Sequence, residues 1–152
     1  REVIAAAELL ESDWGVAADV WSATSFNELR REAQEVHRWN LLHPDKKQKQ
    51  SYVEECLDGA EGPVIASTDY MRAFPDQIRP YVNRRFVTLG TDGFGRSDSR
   101  EALRRFFEVD RHHVVLAALK ALADDGVLPA SKAAEAIKKY GIDAERPNPV
   151  NS

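Results

Sequence analysis

One stretch restricts the folds open to this chain more than any other: Phe86-Val-Thr-Leu-Gly-Thr-Asp-Gly-Phe-Gly-Arg-Ser-Asp98. Its first four residues are aromatic, β-branched and apolar, as a strand demands. It breaks at Gly90, Gly93 and Gly95, where positive φ costs little. It closes on Asp98, three residues before Glu101, which sets an N-cap acceptor ahead of a carboxylate in the spacing of a capping box. Leu103, Phe106 and Phe107 then follow on one side of the helix so started. Strand, glycine turn and helix in direct succession form a unit of an open α/β sheet. Such turns lie at the carboxyl ends of strands, where sites and contacts gather.

The rest of the chain alternates in the same way. Residues 2–14 carry Val3, Ala7, Leu10 and Trp14 at helical spacing, with Gly15 placed to stop the helix. Residues 16–23 are expected to be a strand, with Val20 and Trp21 its best formers. Ser25-x-x-Glu28 is a capping box for a helix that runs to about Trp39, and His43-Pro44 ends it. Ser51-x-x-Glu54 repeats the pattern before a short helix through Leu57. Residues 64–68 read as a strand apolar enough to be covered on both faces. Pro75 fits the first turn of a helix carrying Ile78 and Tyr81. Asp110 is an N-cap for residues 111–125. Residues 129–140 form a last helix with Ala133, Ala136, Ile137 and Tyr140 inward, ended by Gly141 and Ile142. The spacing predicts an α/β fold with a mainly parallel sheet in three layers, α/β/α. Residues 1–143 make a single domain and residues 144–152 an extended tail.

A formal net charge of −4 argues against a nucleic-acid footprint. No apolar run approaches a membrane span, and the sequence opens in a helical pattern rather than a leader. Lys46, Lys47 and Lys49 read as a solvated loop. Cys56, the only cysteine, reads as a small packing residue in a reducing compartment. The glycine turn could cradle a phosphate on its backbone amides. Yet no Gly-Lys-Ser/Thr follows, and Asp92 and Asp98 oppose an anion. The alternative is a structural turn that buries Phe94 and fixes a subunit contact. Neither an EF-hand loop nor zinc spacing occurs, and His37, His43, His112 and His113 form no ligand pattern. The adjacent His112 and His113 read as first-turn surface residues facing a partner. Arg96 and Arg100 flank the turn and either pair with carboxylates across an interface or stay solvated.

Three runs carry a family resemblance: residues 89–98, Arg38-Trp-Asn-Leu-Leu-His-Pro44 and Ala66-Ser-Thr-Asp-Tyr-Met71. The two ends of the chain, residues 1–10 and 138–143, agree with them. Together they resemble the C-terminal, third domain of the homodimeric bacterial pyruvate dehydrogenases. More distantly they are similar to transketolases, which keep a Gly-x-Asp-x-Phe-Gly core but not the continuation through Arg96, Ser97 and Asp98.

The resemblance implies the transketolase C-terminal-domain fold. It also implies that a first strand is missing before Arg1, so that the chain is a fragment of a longer polypeptide. The whole enzyme would be a cytoplasmic bacterial oxidoreductase. It would decarboxylate pyruvate on thiamine diphosphate and Mg²⁺ and reductively acetylate the lipoyl group of the acetyltransferase component, joining glycolysis to acetyl-CoA. The cofactor-binding Gly-Asp-Gly…Asn motif is absent from these residues. The resemblance therefore assigns no catalytic, cofactor-binding or metal residue here, and the isolated segment is expected to be inactive. Its tasks would be the homodimer interface, through Asp92, Phe94, Arg96 and Asp98, and docking of the acetyltransferase component, including its peripheral-subunit-binding domain. Two alternatives stay open: a stand-alone α/β binding module, and the C-terminal domain of a transketolase-like enzyme acting on another keto substrate.

Overall fold

The two strands most clearly marked in the sequence pair with one another. In the computed structural model, which describes residues 1–152, β1 (Val64–Ser67) runs parallel to β2 (Phe86–Leu89), with Val64 opposite Phe86 and Ser67 opposite Leu89. Side chains alternate across a strand, and the two faces of this small sheet meet different cores. Val64, Ala66 and Phe86 pack into a cluster with Ala33, Val53, Ile78 and Tyr81. Ile65 and Leu89 pack against a second cluster built on Leu10, Val115 and Leu119. The three layers expected from the sequence are therefore present.

One outer layer holds α1 (Glu2–Trp14), α5 (Arg111–Asp124) and α6 (Ala130–Lys139). Helix α5 is its centre: Val115 and Leu119 are wholly buried, and α1 and α6 flank it. The other layer holds α2 (Phe26–Leu42), α3 (Tyr52–Leu57) and the 3₁₀ turn Pro75–Tyr81. The short α4 (Arg100–Phe106) joins the second strand to α5.

The helix ends follow their local chemistry. Gly15 takes φ 67°, and the Val16 amide donates to the Leu10 carbonyl, closing α1. Ser25 Oγ accepts from the Glu28 amide. Glu54 Oε2 accepts from both the amide and the hydroxyl of Ser51, at 2.7 and 2.6 Å. Asp110 Oδ1 accepts the His113 amide at 3.0 Å. Gly141 takes φ 61°, and the Ile142 amide donates to the Ile137 carbonyl.

Four expectations need correcting. Residues 16–23 form no strand. A strand exists only as a member of a ladder, and the sheet of this chain holds β1 and β2 alone. Trp21 is accordingly 61% exposed. The cap of α4 is Ser99, not Asp98: Ser99 Oγ accepts the Ala102 amide, while Asp98 Oδ1 takes the Ser99 amide. The adjacent histidines are not surface residues. His113 Nδ1 lies 2.7 Å from Asp110 Oδ1, and His112 stacks on Tyr140. Phe94 is not buried within the chain; it is 77% exposed.

Candidate functional site

The glycine turn and the loop that follows β1 leave the sheet side by side, as parallel strands require. They are stitched by their backbones. The Thr91 amide donates to the Tyr70 carbonyl at 2.9 Å, and Thr91 Oγ1 donates to the Asp69 carbonyl. Gly90 is needed for this approach: a Cβ there would lie 2.7 Å from the Tyr70 oxygen and 2.8 Å from the Arg72 nitrogen. Gly93 is needed for conformation, at φ 113°. Its missing Cβ also leaves room for the Pro149 carbonyl, which would sit 2.8 Å away. Gly95 meets neither demand.

The four residues expected at an interface separate into two roles. Asp92 turns back into the chain. Its Oδ1 accepts the Arg72 amide at 3.2 Å and its Oδ2 lies 3.5 Å from Arg72 Nε, a buried atom with no hydrogen-bond partner. Asp98 is spent on the Ser99 amide at 2.6 Å. Arg96 and Asp98 line one open depression of about 240 Å³ with Ser97, Ala102, Leu103 and Phe106. The Arg96 guanidinium lies 4.1 Å from the Phe106 ring centroid, within cation–π range. Phe94, two residues earlier in the chain, is exposed to solvent.

The sequence reading passed over the neighbours that complete this surface. Tyr70, Met71 and Val150 are exposed apolar residues on segments that touch the turn. Tyr70 and Met71 had a visible signal: they lie three and four residues past the end of the first parallel strand, in the loop beside the glycine turn that follows the second. Val150 had none, because its position depends on how the closing residues fold back.

Charge elsewhere is used to join elements. Glu2 accepts from the Arg111 amide, from Arg111 Nε and Nη2, and from Arg104 Nη1, at 3.0–3.2 Å. The Arg111 hydrogen bonds hold its carboxyl below the ordinary range, against the opposing effect of burial. For Asp110, burial pushes upward, but the hydrogen bonds from His113 prevail and the carboxyl is held low. Tyr140 is pushed up, first by burial. It accepts from Trp14 Nε1 and donates to Asp13, tying α6 to α1.

A diphosphate-bound Mg²⁺ requires several oxygen donors converging on one point. The corner offers Asp92, engaged with Arg72, and Asp98, engaged with Ser99. No group of three or more His, Cys, Asp or Glu side chains in the chain converges to hold a metal. The residues present do not compose such a site.

Comparison with known proteins places these features in a family. The family described as a transketolase-like TK C-terminal domain matches residues 1–110. The chain belongs to the transketolase-like C-terminal domain family. Within it, the chain is 63% identical over 151 residues to the protein of Cupriavidus necator named pyruvate dehydrogenase E1 component, covering 99% of this chain and 17% of that relative. The protein of the same name from Pseudomonas aeruginosa is 64% identical over 152 residues, again 99% of this chain and 17% of the relative. That of Escherichia coli K12 is 50% identical over 150 residues, 98% and 17%. The chain thus spans about one-sixth of the length of these relatives, 17%. The resemblance read from the three motifs is borne out over nearly the whole chain. In this chain the corner is a junction between the segments that follow the two parallel strands and the closing residues. No helix of the chain is long and apolar enough to cross a membrane.

Proposed function

We propose that this chain is the C-terminal domain of a thiamine-diphosphate-dependent pyruvate dehydrogenase E1 component, and that its part in that enzyme is assembly. The whole protein would act in the cytoplasm as a homodimer. It would decarboxylate pyruvate and pass the acetyl unit to the lipoyl group of the acetyltransferase component. The thiamine diphosphate and Mg²⁺ would be held by polypeptide outside these residues. The observation that carries the reading is identity of 50–64% with pyruvate dehydrogenase E1 components along 98–99% of the chain.

The assembly role is supported by the corner. Phe94, Tyr70, Met71 and Val150 leave apolar area in water, and burying it against another surface would be favourable at about 25 cal/mol per Å². Arg96, two residues on from Phe94 and over the Phe106 ring, would confer orientation on a partner carboxylate. Docking of the acetyltransferase component, through its peripheral-subunit-binding domain, belongs to the same proposal.

The test uses the full-length protein of which these residues are part. Pyruvate-dependent reduction of an artificial electron acceptor, requiring thiamine diphosphate and Mg²⁺, is the expected result. Turnover of a ketose phosphate with no activity on pyruvate would overturn the substrate assignment and favour a transketolase-like enzyme. Tight uptake of thiamine diphosphate by the 152 residues alone, read by calorimetry, would overturn the assembly role.

A further inference from the structure

The closing residues 144–152 are attached to the rest of the chain at a few points only. Arg146 reaches the carboxyl end of α4, where Nη1 donates to the Arg105 carbonyl at 3.3 Å and Nη2 to the Phe106 carbonyl at 2.9 Å. A helix end leaves such carbonyls without intrahelical donors and favours a cation. The same guanidinium lies 4.6 Å from the Phe106 ring centroid. Three residues on, Pro149 is buried and its carbonyl occupies the space left by the absent Cβ of Gly93. Pro147 and Asn148, between these anchors, are exposed. The segment satisfies its own ends: Asn148 Oδ1 accepts the Val150 amide and the Asn148 carbonyl accepts the Asn151 amide. It joins neither the sheet nor a helix pair.

We propose that the end of α4 and the Gly93 corner form a peptide-binding groove, and that residues 146–151 are its resident ligand, a strap held in cis that the same sequence can replace in trans. The ligand class is an Arg-Pro-x-Pro peptide. The arginine is read by an aromatic face and two carbonyls, that of Phe106 and that of Arg105, which also accepts the Glu108 amide at 3.4 Å; this is a fork that lysine cannot match. The second proline is seated by its backbone, whose carbonyl fills the space a Cβ on Gly93 would take, and its ring is buried. Two prolines limit the freedom the free peptide loses on binding. The strap presses on Gly93, so its seating sets the presentation of Phe94. The groove stands whether or not Phe94 contacts a second subunit.

The test takes the full-length protein with its residues 144–152 removed, and a fluorescently labelled synthetic peptide of those residues. The peptide is expected to bind. A peptide carrying Arg146→Ala is expected to bind at least about tenfold more weakly, and one carrying Arg146→Lys to fall between. Amide exchange at residues 90–98 should quicken on removal and slow again when the peptide is added, while exchange in α5 stays constant. No binding at millimolar peptide, equal binding of the Arg146→Ala peptide, or unchanged exchange at 90–98 would each overturn the groove. Should the shortened protein not fold, Arg146→Ala in the intact chain gives the same reading. Faster exchange confined to 90–98 supports the strap, and exchange identical to the parent refutes it. The oligomeric state of the shortened protein is a separate readout. A protein that binds the peptide yet stays dimeric keeps the groove and removes the corner from assembly.

Discussion

Replacing Glu2 by alanine tests how the α1–α5 layer is held. The carboxylate takes one backbone amide and three guanidinium N–H groups at 3.0–3.2 Å, and its side chain is 15% exposed. The amide belongs to Arg111, the first residue of α5, so that bond acts as a helix cap worth about 1 kcal/mol. Arg111 is 45% exposed and Arg104 28%. Solvent discounts those pairs to about 0.5 kcal/mol each. The loss expected for Glu2→Ala is therefore about 2 kcal/mol, which for a domain of this size lowers Tm by about 4–8 °C. Glu2→Gln, which keeps acceptor geometry without charge, should lose about half as much. The carboxyl is held below its ordinary range, so its folded pKa lies under the unfolded one. Its contribution is complete above the unfolded value and fades as pH falls through the folded value. Urea unfolding of both variants at pH 7, and of the parent from pH 7 to pH 3, reads these quantities. An alanine variant within about 0.5 kcal/mol of the parent at pH 7, the usual scatter for surface changes, would refute the reasoning.

Other substitutions probe single devices. Gly90→Ala places a methyl against the backbone of Tyr70 and Arg72 and should cost about 1–3 kcal/mol in chemical denaturation; Gly95→Ala, which meets nothing within 4 Å, is the neutral control. Glu108 ends α4 at φ 59° without being glycine. Relieving that strain with Glu108→Gly should raise stability by about 0.5–1 kcal/mol, after the added freedom of the unfolded chain is subtracted. Asp110→Ala removes the cap of α5 and leaves His113 without its carboxylate. The loss should be about 1–2 kcal/mol at pH 7. The penalty should shrink in acid, because the parent's Asp110 is itself lowered in pKa and loses its advantage as it protonates.

Most elements were legible because each carries its own local chemistry. Ser25, Ser51 and Asp110 cap the helices they precede, Gly15 and Gly141 stop them, and β1 and β2 are apolar enough to be covered on both sides. What failed depends on partners distant in sequence. Residues 16–23 have strand composition, but no neighbouring strand lies beside them. The shift of the α4 cap from Asp98 to Ser99 is a choice between two good acceptors in adjacent positions, which spacing alone does not decide. At the candidate site, the glycine corner was visible but the duties of its residues were not. Asp92 is consumed by Arg72, 20 residues away, and the strap contact with Gly93 joins segments more than 50 residues apart.

The corner as an assembly surface is the centre of this account, and Phe94 tests it most directly. Its side chain is 77% exposed within the chain, so Phe94→Glu should leave the fold of the chain intact. Sedimentation velocity of the full-length protein carrying Phe94→Glu should show dimer dissociation at least about tenfold easier than in the parent, as for loss of a buried aromatic contact. A dimer as tight as the parent's, with the substituted residue in place, would contradict the account.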